Sequence, residues 1–333
     1  MKRYTVNPGT KGSLRIEEIE TPSPQRGEVL IRLRAASVNY RDLLVARGAY
    51  KALGDRPLVP LSDGAGEVVE VGDGVSNWKV GDRVCGTFSQ TWTGGARRED
   101  DIANDLGGTA PGVLSEYRVF DARGLVRIPA HLDYAEAATL PCAGVTAWNA
   151  LYEGRPLRSD ETVLLIGTGG VSTFGLQLAV RAGARVVVIS SSNEKLAQYK
   201  DWGASDVINY RDEPDWEQKV RAATGGRGVD HVLEVGGPGT LERSLATLAL
   251  GGQIHLIGVL TQGSTNLLPL IRTNSTVRGI MVGSREMFER LNRSLERGAI
   301  HPVVHQTYKF EDAPAAFEAL ERAEHIGKIV ISI

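Results

Sequence analysis

Residues 162–180 read TVLLIGTGGVSTFGLQLAV. Thr162–Ile166 is an apolar strand-like run, the residues after it form a glycine-rich turn, and TFGLQLAV has the character of a helix start. The half of the chain before it is strand-rich and dense in Gly and Pro; the half after it alternates apolar strands with mixed helices, so this segment opens a parallel α/β unit. Gly167, Gly169, Gly170 and Gly175 remove Cβ obstruction from the turn and let the helix begin close to a bound group. Exposed amides and the positive helix end at that start suit a pyrophosphate, which makes Gly167, Thr168, Gly169, Gly170 and Val171 the first candidate nucleotide contacts. Any tight strand-to-helix turn uses glycine, so position and context carry this reading.

The next strand is Arg185–Ile189, followed by Ser190, Ser191, Ser192 and Asn193. An acid at this strand end would hold the ribose hydroxyls of NAD and repel a 2′-phosphate. Ser190 stands there instead. Three hydroxyls with Lys195 can receive a phosphate, which favours NADP(H) over NAD(H); a serine-rich helix cap with a solvated Lys195 is the alternative.

A chain of 333 residues exceeds the usual single core, so two domains are expected. With 38 basic and 40 acidic residues the net charge is −2, which provides no global field for a nucleic acid or an anionic membrane. Cys85 and Cys142 are the only cysteines, too few for a disulfide framework and in keeping with a reduced, cytoplasmic protein. MKRYTVNPGT at the start has no apolar run behind its basic residues, and no stretch approaches bilayer-spanning length.

Glu28–Ser37 alternates apolar and polar residues as a half-buried strand does, and runs into a helix start at Val38–Leu44. Asn39 and Asp42, three apart, share one side of a helical turn, where an N-cap with a first-turn acid competes with a catalytic pair. Gly/Asp punctuation between valine runs over 60–84 reads as a small, strongly bent β domain, and Ser89–Gly112 as a long polar loop. Further on, Tyr134–Leu140 and Cys142–Leu151 read as helices, and Leu267–Ile271 and Thr276–Met281 as strands or connections. Ser284–Gly298 reads as an amphipathic helix packed by Met287, Phe288, Leu291 and Leu295. Gly236 and Gly258 end the strands Val229–Val235 and Gln253–Gly258, where backbone can approach a cofactor; tight reversal alone is the other reading.

Together AASVNYRDLLVARGAY (35–50), PLSDGAGEVVEVGDGVSNWKVGDRV (60–84), AATLPCAGVTAWNAL (137–151), the glycine-rich crossover and HIGKIVI (325–331) resemble the medium-chain dehydrogenase/reductase superfamily. The likeness is to its quinone-oxidoreductase-like and zinc-lacking, alcohol-dehydrogenase-like branch, and it spans essentially the whole chain. It implies an α/β protein: a GroES-like β domain from 1–125 and 290–333, and a Rossmann doubly wound parallel-sheet domain from 126–289. It also implies hydride transfer between a nicotinamide and a small-molecule acceptor in a cleft between domains, a quinone, an enone or a related carbonyl. Asn39, Tyr40, Asp42 and Thr146 become the catalytic candidates. Thr146, Tyr210, Val259, Arg285 and Lys328 join the cofactor set, and a homodimer is expected by analogy with relatives.

In the zinc-bearing members of that superfamily, three protein ligands leave a fourth position open. The resemblance places those ligand positions on Asn39, Ser62-Asp63 and Cys142, so a single sulfur remains. The stretch Thr91–Pro111 contains no cysteine for a structural zinc, and the six histidines form no cluster at local spacing. No metal is therefore expected, and Cys142 is read as a small packed hydrophobe. Alcohol dehydrogenation, acyl-thioester reduction and NADP binding without turnover are the alternatives; a nucleic-acid or membrane partner is not expected.

Overall fold

The computed structural model describes residues 1–10, 12–49, 56–258 and 260–333. Contacts divide the chain into two compact units, Met1–Val145 with Val282–Ile333, and Thr146–Met281. The sequence reading sets the limits at 125/126 and 289/290. Residues in both intervening stretches bond within the first unit: Leu132 O accepts from Arg83 at 2.6 Å, Arg127 O from Asn292 Nδ2 at 2.8 Å, and the Arg285 N–H donates to Trp92 O at 2.9 Å.

Unit 2 is built on a six-stranded sheet whose strands run, edge to edge, Asp206–Asn209, Arg185–Ser190, Thr162–Ile166, Val229–Glu234, Leu248–Leu256 and Thr276–Gly279. Every pairing is parallel, and numbered along the unit the order is 3-2-1-4-5-6, the doubly wound arrangement. Thr162–Ile166 is buried throughout, as a strand covered on both faces must be. The helix Gly170–Arg181 comes next and packs tightly: a Cβ at Gly175 would lie 2.7 Å from Leu233 Cδ2 and 2.9 Å from Leu165 Cδ2.

Two fully buried histidines on neighbouring strands form a polar relay in this sheet. His231 Nε2 lies 3.2 Å from Glu161 Oε2 and His231 Nδ1 lies 3.0 Å from His255 Nε2. With the carboxylate accepting, Nδ1 of His231 must accept too, so His255 donates from Nε2 and keeps Nδ1 as a bare lone pair. Glu161 is held in turn by Arg155 and by the Arg158 N–H at 3.0 Å.

Unit 1 holds a seven-stranded sheet in the order Val304–Lys309, Lys328–Ser332, Glu28–Ser37, Asp63–Val71, Arg83–Gly86, Leu125–Arg127, with Tyr117–Asp121 also paired to Glu28–Ser37. Val29, Ile31 and Leu33 alternate inward from the central strand onto Val68, Phe120, Ile329 and Ile331. Register places the polar residues at one end of this sheet. Ser37, last in the central strand, lies opposite Asp63 on one side and Val330 on the other, so Asp63 and the strand Lys328–Ser332 flank the start of the next helix, Tyr40–Ala46.

Two local expectations are corrected. Leu267–Ile271, read as a strand or connection, gives way to a short helix, Pro269–Thr273, which starts at a proline and stops where Asn274 turns left-handed at φ 50°. The helix expected over Cys142–Leu151 is instead a wide turn, Leu140–Gly144, followed by the α-helix Val145–Tyr152; the Val145 N–H reaches back to Leu140 O, a step of five residues with Pro141 inside it. Among the described residues, no helix is long and apolar enough to cross a membrane.

Candidate functional site

Strand Thr162–Ile166 and strand Val229–Glu234 are neighbours at the point where strand order reverses, so the turns leaving their C-terminal ends flank one crevice in unit 2. Gly167 turns with φ 75° and its N–H donates to Ile189 O at 2.8 Å. Gly169 caps the helix in extended conformation, and a Cβ added at Gly167 or Gly169 would meet open space. That space lies at the first turn of a 12-residue helix, whose leading amides have no intrahelical partner. Thr168 is buried, while Gly167, Gly169, Gly170 and Val171 are half-buried, so the turn presents backbone more than side chain. Ser172 Oγ donates to Ile166 O at 2.9 Å and Thr173 Oγ1 to Gly169 O at 3.0 Å, which fixes the turn from behind.

On the adjoining strand Ser190 is buried at the C-terminal end, with half-buried Ser191 and Ser192 after it. Ser192 caps the helix Asn193–Asp201 and accepts from the Lys195 N–H at 3.3 Å, which gives this serine a structural duty. Tyr210, 40% exposed, donates its N–H to Ser190 O at 3.1 Å and so brings Tyr210 and Arg211 beside the serine loop. Asn209 Nδ2 bonds Asn193 Oδ1 at 2.9 Å and its Oδ1 accepts from the Arg211 N–H at 3.0 Å. Arg211 and Asn209 escaped the sequence reading as members of this loop cluster; the signal was the register of strand Asp206–Asn209 beside Arg185–Ser190, which a single sequence does not display.

The far side of the crevice is organised by Glu234, a fully buried carboxylate absent from the sequence reading. Its Oε1 accepts from the N–H groups of Gly236 at 2.7 Å and Gly237 at 3.1 Å and from Thr240 Oγ1 at 2.7 Å, and its Oε2 accepts from Ser244 Oγ. A negative charge at the start of the helix Pro238–Thr247 is where the helix dipole favours one. A Cβ at Gly258 would lie 1.7 Å from Val235 O, so close backbone packing by itself demands glycine there. Val259 lies outside the described residues. Thr146 is buried as the second residue of helix Val145–Tyr152.

In unit 1 the candidates Asn39 and Asp42 meet Ser62, Asp63, Cys142 and Lys328. Asn39 caps the helix Tyr40–Ala46, and its N–H donates to Asp42 Oδ2 at 2.7 Å, the carboxylate half of a capping box. Asp63 is fully buried; its Oδ1 accepts from Ser62 Oγ at 2.6 Å and its Oδ2 from the Cys142 N–H at 3.2 Å. Lys328 is 4% exposed, and its ammonium donates to Asn39 Oδ1 and Val38 O, each at 2.5 Å. The sequence reading assigns Lys328 to the cofactor; here its charge is engaged inside unit 1. Arg285 likewise bonds Glu289 Oε1 at 2.9 Å and Arg123 O at 3.3 Å. Tyr40, at 39% exposure, is the open member of the group.

Burial dominates the electrostatics of this cluster. It pushes the Asp42 carboxyl up to about 6, against the pull of Arg41, the Asn39 N–H and Lys328. It raises Asp63 as well, while Lys328, Ser62, the Asn39 amide and the Cys142 N–H favour the carboxylate. The Lys328 ammonium is depressed by burial and supported by Asp63, Cys142 and Asp42. Cys142 is half-buried and its thiol is driven far up by burial and by Asp63, so it is a neutral thiol rather than a nucleophile.

These residues do not fit zinc. The donors at the aligned positions are an amide, a hydroxyl, one carboxylate and a single thiol, and an ammonium is hydrogen-bonded to the amide. Among the described residues, no group of three or more His, Cys, Asp or Glu side chains is close enough together to hold a metal ion. The glycine turn of unit 2, by contrast, has the open cradle and free amides that a dinucleotide pyrophosphate requires.

Residues 25–130 match the alcohol dehydrogenase GroES-like domain model and residues 170–297 the zinc-binding dehydrogenase model. A zinc-type alcohol dehydrogenase-like protein of Schizosaccharomyces pombe is 43% identical over 99% of both chains. The crystal structure of a candidate alcohol dehydrogenase from Sinorhizobium meliloti 1021 is 41% identical, covers 100% of both chains and superposes with a TM-score of 0.92. That of an NAD-dependent alcohol dehydrogenase is 30% identical over 100% of both, with a TM-score of 0.90.

Proposed function

Because the chain belongs to the medium-chain dehydrogenase/reductase superfamily and is an oxidoreductase of alcohol dehydrogenase-like type, we propose that it is a zinc-independent, NADPH-dependent reductase delivering hydride to a quinone, an enone or a related carbonyl. The observation that supports this reading is the unit 1 cluster, where Asn39, at a position that the resemblance aligns with a metal ligand, accepts from the buried Lys328 ammonium. A bound nicotinamide dinucleotide would supply the hydride. The amides of Gly169, Gly170 and Val171 bind its pyrophosphate, and Ser190, Ser191 and Lys195, with Arg211 beside them, receive a 2′-phosphate that an acid would repel. Tyr40 offers its exposed hydroxyl to the acceptor oxygen as charge develops there. Asp42 holds the Asn39 N–H and thereby fixes the helix start from which Tyr40 projects.

Alcohol oxidation with NAD is the second reading, favoured by the names of the relatives. It needs a group that stabilises an alkoxide, and Lys328 is too deeply buried to provide it. The deciding experiment follows NADPH and NADH oxidation with a quinone, an enone and an aldehyde, and the reverse reaction with alcohols, before and after exhaustive chelation. Reduction of quinone or enone that survives chelation is expected. Activity that chelation abolishes and zinc restores, or turnover confined to NAD and alcohols, would overturn the proposal. Ser190→Asp should raise the KM for NADPH about 10-fold while sparing NADH, by repulsion of the extra phosphate. We further propose a homodimer, supported by exposed Leu267, Leu268 and Ile271 near the last strand of the sheet; light scattering would test it.

A further inference from the structure

We infer that Lys328 is the built-in cation of unit 1: its ammonium stands in for a metal ion, holds Asn39 in place and bars divalent cations from the cluster. The inference deepens the zinc-independent reading and rests on it.

The four positions that the resemblance aligned with metal ligands fall into two hydrogen-bonded sets, one around Lys328 and one around Asp63. Lys328 Nζ donates to Asn39 Oδ1, Ser62 Oγ donates to Asp63 Oδ1, and the Cys142 N–H donates to Asp63 Oδ2. A fully buried carboxylate needs a counter-charge, and the cation that favours the ionised form of Asp63 is Lys328. The oxygen of Asn39 is already turned to that ammonium, so a divalent ion arriving here would meet both a like charge and an occupied acceptor. Strand register makes the arrangement specific. Lys328 enters from the neighbour of the central strand on one side and Asp63 from its neighbour on the other. Lys328 is thus a positioning residue: it sets the side chain of Asn39 and balances Asp63, without reaching substrate.

Removal of the lysine should uncover a metal site. Asn39→Cys adds a second thiol to Cys142 and Asp63, and two full-length proteins would be compared, Asn39→Cys alone and Asn39→Cys with Lys328→Met. Titration with Co²⁺ alone, read by the visible bands of a thiolate-bound ion, should show tight uptake in the double variant and uptake weaker by about 100-fold or more when Lys328 is retained. Equal uptake in the two proteins, or none in either, overturns the inference. Zinc bound stoichiometrically by the unaltered protein would instead sink the reading on which it rests, and elemental analysis of that protein decides this separately. Folding supplies a second measurement that needs no metal. Lys328→Met should lower the yield and stability of folded protein, and Lys328→Met with Asp63→Asn should restore most of both. A double variant no better than the single one overturns the pairing of Lys328 with Asp63.

Discussion

The histidine relay of unit 2 is neutral and passes its hydrogen bonds outward to charges at the rim, whereas the cluster of unit 1 keeps opposite charges inside. In unit 2, His255 leans on His231 and His231 on Glu161, and the full charges of that relay, Glu161 and Arg155, meet where Arg155 is 28% exposed. In unit 1, Asp63 and Lys328 are both essentially inaccessible. A buried charge pair is worth little as a stabiliser but costs heavily when one partner is removed. A protein has no stability reason to keep such a pair where apolar residues would pack, and the cluster at the start of helix Tyr40–Ala46 is therefore the one to read as functional.

The contrast can be broken most directly by deletion of one charge on each side. Lys328→Met should cost about 3–5 kcal/mol in urea unfolding, because it leaves Asp63 buried without its cation. Arg155→Met, which releases a rim charge that water can replace, should cost about 1 kcal/mol. Equal losses would erase the distinction.

Acid titration sharpens it. Burial holds His255 down to about 2 and lowers His231 too, so both bind protons more readily unfolded than folded. Their contribution to stability is present above the ordinary histidine pKa near 6.5 and is lost as pH falls below it, by about 1.4 kcal/mol per pH unit for His255, with a further loss in the same direction from His231. Asp42 has the opposite sign. With its pKa raised from 3.8 to about 6, its contribution is present below 3.8 and is lost as pH rises through about 6. Between about pH 4 and 6 the two trends oppose each other. His255→Gln should therefore make the acid decline in stability shallower and Asp42→Asn should make it steeper; calorimetry across this range checks both, and a common direction for the two variants would refute the comparison.

The smallest effect concerns the helix after Glu234. Thr240→Val removes one of the three donors to Oε1 of that carboxylate and should cost under about 1 kcal/mol, since two backbone N–H groups remain on that oxygen and Ser244 stays on Oε2. Thermal denaturation would measure it.

How much of this is legible in the sequence differs between the units for a physical reason. The crossover of unit 2 is local: a buried strand, a turn with positive φ at Gly167 and a helix succeed one another along 19 residues of sequence, from Thr162 to Val180. The strand order 3-2-1-4-5-6 then agrees with the regular alternation. The N-cap and first-turn acid at Asn39 and Asp42 are readable for the same reason, being three residues apart. The partner of Asn39 is not. Lys328 lies 289 residues away along the chain, and the family resemblance of the chain's ending offers a cofactor role as its nearest explanation. Short segments fail on ambiguity: Leu267–Ile271 is apolar enough for either strand or helix, and only the proline at 269 and the left-handed Asn274 show which one forms.

The central strand Glu28–Ser37 draws one of its neighbours from residues 328–332, on the far side of a complete second unit. On the ribosome this imposes a schedule. Residues 146–281 contain every strand of their own sheet and can close on themselves as they emerge, while the earlier sheet waits with one side of Ala35–Ser37 unpaired and Asp63 without its counter-ion. The first unit to be started is the last to be finished, and the nascent chain must shield an open strand edge for as long as the second unit takes to translate.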